Sequence, residues 1–203
     1  PMAAALGIGL DVEQPEGHMI IDIGGGTTEI AVIALSGIVT DQSLRVAGDD
    51  FTYDIIEHVK RQHNILIGER TAEQIKIHVG AAIQELDNPP EDFPVHGRDL
   101  LTGIPKQVIV TYVEIAAALD KSISKIEEGI MRALESTPPE LASDIYQKGL
   151  YLTGGGALLR GLDKRISLKT KLPVQVAEDP LRAVVRGTGL ALKNRHKYTF
   201  LLS

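Results

Sequence analysis

Two glycine-rich segments contain the residues whose types and spacing suit ligand chemistry. The first lies between short apolar runs at 19–21 and 30–33, and its candidate binding residues are Asp22, Gly24, Gly25, Gly26, Thr27 and Thr28. Glycine permits positive φ and a close approach of ligand to backbone, so the N–H groups can line an anion site. An aspartate at a strand end can hold a divalent cation directly or through water. The segment therefore suits a clamp for phosphate and Mg²⁺, with a glycine-rich β-hairpin as the alternative.

The second segment follows the apolar run 150–152 and precedes a helical pattern of leucines at 158, 159 and 162. Its candidate residues are Thr153, Gly154, Gly155, Gly156 and Ala157. A strand, a glycine turn and a helix direct backbone N–H groups at a ligand above the helix N-terminus. Neither segment has the GxGxxG spacing or the Lys-Ser or Lys-Thr of a Walker motif. Two triple-glycine segments that each close a hydrophobic strand favour one shared site over two unrelated hairpins.

Apolar periodicity and turn residues predict the elements that position these segments. We expect strands at 18–23, 28–35, 38–46, 93–96, 106–111 and 174–176, with a hairpin turn at Ser36-Gly37. We expect helices at 2–6, from 48, from 71, at 112–134, from 139 and at 180–192.

Some helix positions allow more specific expectations. Thr71 is a suitable N-cap, and Gly187 and Gly189 are suited to close packing of the helix that begins at Pro180. The helix at 112–134 has one continuous apolar stripe that includes Leu119 and Ile126. Such a stripe faces the protein core in most helices, and a surface for a partner is the alternative.

Composition excludes several classes of protein. The 203 residues include 43% apolar and 24% charged residues, which is typical of a soluble globular fold. A net charge of −6 argues against a general nucleic-acid surface. The absence of cysteine excludes disulfides and fits a reducing cytoplasm. No apolar run reaches the roughly 18 residues of a membrane span, and the six histidines lack the spacing of a metal motif.

Several motifs resemble one family of ATPases. DIGGGTTEIAVI is similar to the second phosphate loop of the actin, Hsp70 and sugar-kinase ATPases, and YLTGGGALLRGL to their adenosine loop. In order along the chain, PMAAALGIGL, IGERTAEQIK, RDLLTGIPKQV, TPPELASDI and AEDPLRAVVRGTGLAL resemble segments of the MreB family of bacterial actin homologues. The resemblance covers essentially the whole chain and implies a C-terminal piece of such a protein.

This resemblance implies an α/β fold, the second ribonuclease-H-like half of the actin/Hsp70 ATPase fold. The expected architecture is a mixed sheet with flanking helices and an inserted small α+β subdomain. Residues 1–47 and 112–203 are expected to form the larger subdomain (actin-like IIA), together with the helices that connect it to the other half. Residues 48–111 are expected to form the inserted subdomain (actin-like IIB).

The resemblance also implies a nucleotide site for ATP or ADP with Mg²⁺ held by Asp22 through water. Glu73 would bind the ribose hydroxyls, the stem of Lys76 would lie against adenine, and Gly80 would leave room for the base. The spacing of Glu73 and Lys76 alone indicates only a solvated ion pair on one helix face. MreB relatives usually have Asp where this chain has Thr52.

For function, the resemblance implies a cytoskeletal protein whose ATP-dependent filaments direct cell shape and wall growth. The parent protein is expected to be a slow ATPase, with no catalytic residue in this chain, because the family's water-positioning Glu stands before Pro1. Expected partners are further copies in a filament and cell-shape and wall-synthesis membrane proteins, with no nucleic acid. The expected location is cytoplasmic, at the inner face of the membrane, with membrane contact through the N-terminal part of the parent.

Two other classes share the glycine segments. A small-molecule kinase of the sugar-kinase type is the main alternative, and an Hsp70-like chaperone ATPase is the third. Residues 98–113 and TPPELASDI resemble MreB and not kinases. The insert between the two glycine segments is too small for Hsp70. The sequence therefore favours the filament protein.

Overall fold

The computed structural model describes residues 1–194 and 196–198. Its helices are α1 (Met2–Gly7), α2 (Gly48–His63), α3 (Glu69–Val79), α4 (Tyr112–Glu135), α5 (Pro139–Lys148), α6 (Leu162–Thr170) and α7 (Ala183–Lys193). Its strands are β1 (His18–Ile23), β2 (Thr28–Ala34), β3 (Gly37–Leu44), β4 (Ile65–Leu66), β5 (Phe93–Asp99), β6 (Pro105–Val110), β7 (Leu150–Thr153) and β8 (Val174–Val176). Short 3-10 helices span Gly155–Leu158 and Pro180–Arg182.

The larger sheet has five strands in the order β3-β2-β1-β7-β8. Strands β1, β2 and β3 are antiparallel neighbours, whereas β7 is parallel to β1 and β8 is parallel to β7. The register places Asp22 opposite Thr153. Because the carboxyl ends of parallel strands meet at one edge of a sheet, both glycine-rich segments leave the sheet side by side.

The two faces of this sheet pack against different helices, as the alternation of strand side chains requires. Met19, Ile21 and Ile23 of β1 point into the larger buried cluster, which includes side chains from α2, α3 and α4. Ile20 points the opposite way, into a smaller cluster with side chains of α1. Both faces are therefore covered, and β1 is buried at the centre.

Helix α4 faces the core. Five side chains of its apolar stripe are fully buried: Ile115, Leu119, Ile123, Ile126 and Ile130. The helix begins with a capping box, in which Glu114 N–H donates to Thr111 Oγ1 at 3.3 Å and Thr111 N–H donates to Glu114 Oε1 at 2.6 Å. The prediction of a core-facing helix is confirmed, and the stripe is not a free surface for a partner.

A second sheet has the strand order β4-β5-β6, with β4 between α2 and α3 in the chain and β5 and β6 between α3 and α4. Its buried residues Ile65, Val95 and Val110 belong to the same apolar cluster as the five-stranded sheet. The small sheet with α2 and α3 has the α+β composition expected for 48–111. Because one cluster spans both sheets, the boundaries of the two subdomains stay a prediction.

Helices α1 and α7 touch backbone to backbone. A Cβ added to Gly187 would lie 1.7 Å from the Ala3 carbonyl oxygen, and one added to Gly7 would lie 1.7 Å from the Ala183 carbonyl oxygen. The close-packing prediction is therefore confirmed for Gly187. It is wrong for Gly189, where an added Cβ would meet nothing within 4 Å.

Three local predictions differ from the structure. Thr71 is not an N-cap, because α3 begins at Glu69 with Gly68 as its extended N-cap residue. The β2–β3 turn is formed by Leu35 and Ser36, with φ of 50° and 62°, rather than by Ser36-Gly37. After the second glycine segment and after Pro180, the chain first makes a short 3-10 helix, so α6 and α7 begin later than expected.

Among the described residues, no helix combines the length and apolar character needed to cross a membrane. Near the chain end, Lys197 Nζ lies 3.0 Å from Glu13 Oε2, and Tyr198 packs against the α1 cluster. The chain end at 197–203 is apolar enough in sequence to predict docking, and its residues 199–203 lie outside the described residues.

Candidate functional site

A side-chain hydrogen bond joins the starts of the two glycine-rich segments. Thr153 at the end of β7 donates its hydroxyl hydrogen to Asp22 Oδ1 at 3.0 Å. Thr153 is fully buried, whereas Asp22 is half-buried at the sheet edge. Two segments that are far apart in the sequence thus meet at one carboxylate, as their shared strand geometry predicts.

The second segment packs tightly on the end of β1. Gly154 has φ of +80°, and a Cβ there would lie 2.3 Å from the Ile23 carbonyl oxygen. A Cβ on Gly156 would lie 2.2 Å from Ile23 Cγ2. These two glycines are thus required by contacts within the chain, whatever the segment binds. Ala157 is buried, and Gly155 is exposed.

The first segment is open to solvent at its tip and tied down at its base. Gly25, Gly26 and Thr27 are exposed, and within the described residues no backbone hydrogen bond uses their N–H groups. The base is fixed because Gly24 N–H donates to Thr27 O at 2.9 Å and Gly48 N–H donates to Gly24 O at 3.1 Å. Exposed N–H groups on a fixed turn have the arrangement that an anion site requires.

Thr28 lies at the base of this segment and is fully buried. Its hydroxyl donates to the Val46 carbonyl oxygen at 2.7 Å, which ties β2 to the segment just before α2. In the structure Thr28 therefore supports the first segment from below. A direct contact between Thr28 and a ligand stays a prediction.

Asp49, in the first turn of α2, is a neighbouring acidic group. Its carboxylate oxygens would lie 3.6 and 3.7 Å from a Cβ added to Gly25. Together with Asp22 it makes the surroundings of the first segment acidic. An anionic ligand would accordingly need a cation beside it, and oxygen ligands are those that Mg²⁺ prefers.

Lys76 and Glu73 also lie at this edge. Lys76 Nζ lies 2.6 Å from Glu73 Oε2, and it donates to the Gly48 carbonyl oxygen at 2.8 Å and to Thr52 Oγ1 at 2.9 Å. The Lys76 side chain is only 17% exposed. This pair is therefore more than a solvated surface pair, because it crosslinks α3 to the N-terminus of α2.

Gly80 ends α3 and is buried. A Cβ at this position would lie 2.1 Å from the Lys76 carbonyl oxygen and 3.0 Å from Leu159 Cδ1. A side chain here would disturb both the helix end and the contact with the chain that follows the second glycine segment. Whether the position also accommodates a base stays a prediction.

A cation at this edge of the sheet would be coordinated mainly by groups that the chain does not supply, such as water and phosphate oxygens. Over residues 1–194 and 196–198, no group of three or more His, Cys, Asp or Glu side chains is arranged to hold a metal ion. Mg²⁺ commonly keeps several waters and uses one or two carboxylates together with substrate phosphates. A single carboxylate such as Asp22 fits that mode of binding.

A surface cleft of about 770 Å³ lies elsewhere, between the chain after α3 and helices α4 and α6. Its lining residues include Ile83, Ala117 and Leu168, and none comes from either glycine-rich segment. The chemistry of the exposed backbone N–H groups and Asp22, and not cleft size, locates the candidate site.

Comparison with solved structures first defines the class of fold. The chain superposes on a double helical filament of MamK with a TM-score of 0.77 at 23% identity, covering 95% of this chain and 58% of that one. It superposes on a crystal structure of MreB5 of Spiroplasma citri bound to ADP with a TM-score of 0.93 at 41% identity, covering 97% and 59%. The fold is that of the actin-like proteins.

Sequence comparison then identifies the family. The family model for MreB/Mbl protein matches residues 1–199. The cell shape-determining protein Mbl of Bacillus subtilis is 45% identical over 97% of this chain and 59% of its own length. The cell shape-determining protein MreB of Escherichia coli K12 is 49% identical over 95% and 55%. The chain belongs to the MreB/Mbl family, and it spans 55–59% of the length of these relatives.

Proposed function

We propose that this chain is the nucleotide-binding half of an MreB-type actin-like protein that forms ATP-dependent filaments and directs cell shape and wall growth. The observation that carries the proposal is the Thr153–Asp22 hydrogen bond, which brings two glycine-rich segments together at one sheet edge. Solved MreB5 relatives are bound to ADP and AMPPNP, and a MamK relative forms a double helical filament.

In the proposed complex, the phosphates of ATP or ADP lie between the two glycine-rich segments. The exposed N–H groups of Gly25, Gly26 and Thr27 donate to phosphate oxygens, and Asp22 holds Mg²⁺ through its water shell. The ion offsets the phosphate charge next to Asp22 and Asp49. Mg²⁺ supplies charge stabilisation, and the side chains of this half bind and orient the nucleotide.

The adenosine part lies beside α3 in this proposal. Glu73 is 48% exposed at its side chain and accepts a hydrogen bond from Thr52 Oγ1 at 3.1 Å, so its carboxylate is accessible to ribose hydroxyls. The Lys76 stem lies against the base, and the absence of a side chain at Gly80 leaves room for it. Thr52 thus supports the Glu73 carboxylate through this hydrogen bond, whereas an aspartate at position 52 would repel it.

The remaining family properties are proposed for the full-length chain, meaning the longest natural polypeptide that contains residues 1–203. We propose slow ATP hydrolysis, self-association, contacts with cell-shape and wall-synthesis membrane proteins, and a cytoplasmic location at the inner membrane face. We also propose the division into a larger subdomain (1–47 and 112–203) and an inserted one (48–111), with the site between them.

Asp22→Asn tests the proposal in the full-length chain. The amide keeps the size of the side chain and can still accept from Thr153, but it loses the charge that holds Mg²⁺. We expect ATP affinity in Mg²⁺ to fall at least about tenfold, or about 1.4 kcal/mol, and affinity in EDTA to stay unchanged. Calorimetric titration measures both, and ATP-dependent sedimentation should weaken in parallel.

The matched control is Asp41→Asn, an exposed aspartate on β3. It should bind and sediment like the unaltered chain. Unchanged Mg²⁺-dependent affinity in Asp22→Asn would remove Asp22 from the site. Phosphorylation of a sugar without any sedimentation would favour the kinase alternative.

Lys76→Met tests the adenosine side. Methionine retains an apolar stem but loses the ammonium that binds Gly48, Thr52 and Glu73. We expect ATP binding to weaken by about tenfold and binding of inorganic triphosphate to change less than about twofold. Lys60→Met, which breaks an exposed pair with Glu57, should leave both affinities unchanged. An equal loss for the two ligands would instead make Lys76 a phosphate-side residue.

A further inference from the structure

Arg160, which follows the second glycine-rich segment, caps the end of α3. Its guanidinium Nη1 donates to the Ile77 carbonyl oxygen at 3.0 Å and lies 3.5 Å from the Gly80 carbonyl oxygen. The last carbonyl groups of a helix have no partner within the helix. A cation at this end also interacts favourably with the helix dipole. Arg160 thus supplies both a hydrogen-bond donor and a charge where α3 needs them.

The backbone of Arg160 holds the chain that follows α3. Ala82 N–H donates to the Arg160 carbonyl oxygen at 2.8 Å, and Ala81 and Arg160 form a parallel β-bridge. Farther along, Arg165 Nη1 donates to the Ala82 carbonyl oxygen at 3.1 Å. The backbone contacts keep this segment in place independently of the Arg160 side chain, which acts on the helix end itself.

These contacts complete a ring around the candidate site. The first glycine-rich segment bonds the start of α2 through Gly24 and Gly48, and Lys76 joins Gly48 to α3. Arg160 joins the end of α3 to the chain after the second glycine-rich segment. That segment returns to β1 through Thr153 and Asp22. Among these contacts, Arg160 provides the side-chain hydrogen bond between the end of α3 and the chain that follows the second glycine-rich segment.

We propose that Arg160 is a positioning residue that fixes α3, with Glu73 and Lys76, relative to the two glycine-rich segments and so sets the affinity for the adenosine part of a nucleotide. This inference rests on the proposed nucleotide-binding function. Arg160 does not touch the ligand. Without its guanidinium, the end of α3 samples more positions, and ordering it on binding reduces affinity.

Loss of the Arg160 side chain should affect one part of the site selectively, because different contacts fix the phosphate-binding part and the adenosine-binding part. The part of the site that would bind phosphate is fixed by the sheet and by Asp22, Thr153 and Gly154. The Arg160 guanidinium instead donates to carbonyl oxygens at the end of α3. The adenosine-binding part includes Glu73 and Lys76 and therefore depends on the position of α3, which Arg160 holds at its C-terminal end. Loss of the Arg160 side chain should accordingly weaken the binding of nucleotides and leave the binding of inorganic triphosphate unchanged.

The test uses the full-length chain with Arg160→Ala, Arg160→Lys and, as the control, Arg132→Ala, which removes an exposed arginine of α4. Affinities for ATP and for inorganic triphosphate, each with Mg²⁺, are measured by calorimetric titration. Amide hydrogen exchange is followed in peptides that cover 77–83. Thermal unfolding identifies any variant that fails to fold, in which case Arg160→Gln replaces it.

Arg160→Ala should bind ATP about tenfold more weakly, bind triphosphate within about twofold of the unaltered chain, and exchange faster at 77–83. Arg160→Lys should recover part of the ATP affinity, because an ammonium can still donate to one carbonyl. Arg132→Ala should change none of these quantities.

Unchanged ATP affinity in Arg160→Ala, or an equal loss for both ligands, would overturn the positioning role. If the unaltered chain does not bind ATP, the proposed function fails, and exchange at 77–83 decides alone. Faster exchange would then still support the action of Arg160 on the end of α3, and unchanged exchange would overturn it.

Discussion

Gly187→Ala is expected to destabilise the chain by about 2 kcal/mol or more, which lowers the melting temperature by roughly 4–8 °C. The added Cβ would lie 1.7 Å from the Ala3 carbonyl oxygen and 2.9 Å from Gly7 N. Both neighbours are backbone atoms, so no side-chain rotation relieves the overlap. Helices α1 and α7 must move apart, and α1 then loses part of its packing on the sheet, where Met2 and Leu6 are buried.

Gly189→Ala in the same helix is the matched control. Its Cβ would meet nothing within 4 Å, so the substitution keeps only the helix-propensity advantage of alanine, about 1 kcal/mol. It should raise stability where Gly187→Ala lowers it. Urea unfolding of both variants followed by circular dichroism measures the difference. Equal effects at the two positions would show that α1 and α7 do not pack through Gly187.

Periodicity was enough to predict the main elements, because burial decides both the pattern and the structure. In α4 the apolar stripe is the core face, and in β1 the alternation divides the side chains between two clusters. The meeting of the two glycine-rich segments could also be predicted, because each follows a buried strand and parallel strands end at the same edge. Here local sequence and global fold agree.

Predictions failed where a local signal had more than one solution. Thr71 is a good N-cap type, but Gly68 in an extended conformation begins α3 first. Gly187 and Gly189 look alike in the sequence, yet only one faces a neighbouring helix. Which glycine is needed depends on the crossing of α1 and α7, and that crossing is set by residues at opposite ends of the chain.

The roles of several site residues could not be derived from their types. Thr28 and Thr153 are predicted as binding residues from their place in the motifs, and the structure shows a further role, because both are buried and their hydroxyls hold the two segments. Their direct contact with a ligand stays a prediction. Arg160 had no sequence signal, because its partners are main-chain carbonyl groups far away in the chain. A motif search identifies groups that face a ligand more readily than groups that hold them in place.

A second large effect is expected at Arg165, which joins α6 to α4. Arg165 Nε donates to Glu127 Oε1 at 3.0 Å and Nη2 donates to Oε2 at 3.2 Å, and Glu127 is only 8% exposed. Burial works to lower the pKa of Arg165, but the hydrogen bonds and charges of Glu127 and Asp120 outweigh it and raise that pKa. The guanidinium is thus held in its charged form by its acidic partners.

Arg165→Met should destabilise the chain by about 3–4 kcal/mol, because it leaves the buried Glu127 carboxylate without its partner. The double variant Arg165→Met with Glu127→Met should recover about 1–2 kcal/mol of that loss, since it removes the unpaired charge as well. Arg186→Met, which breaks an exposed pair with Asp179, should cost less than about 1 kcal/mol. Urea unfolding of the three variants measures these values, and a double variant no more stable than Arg165→Met would contradict the interpretation that charge burial dominates.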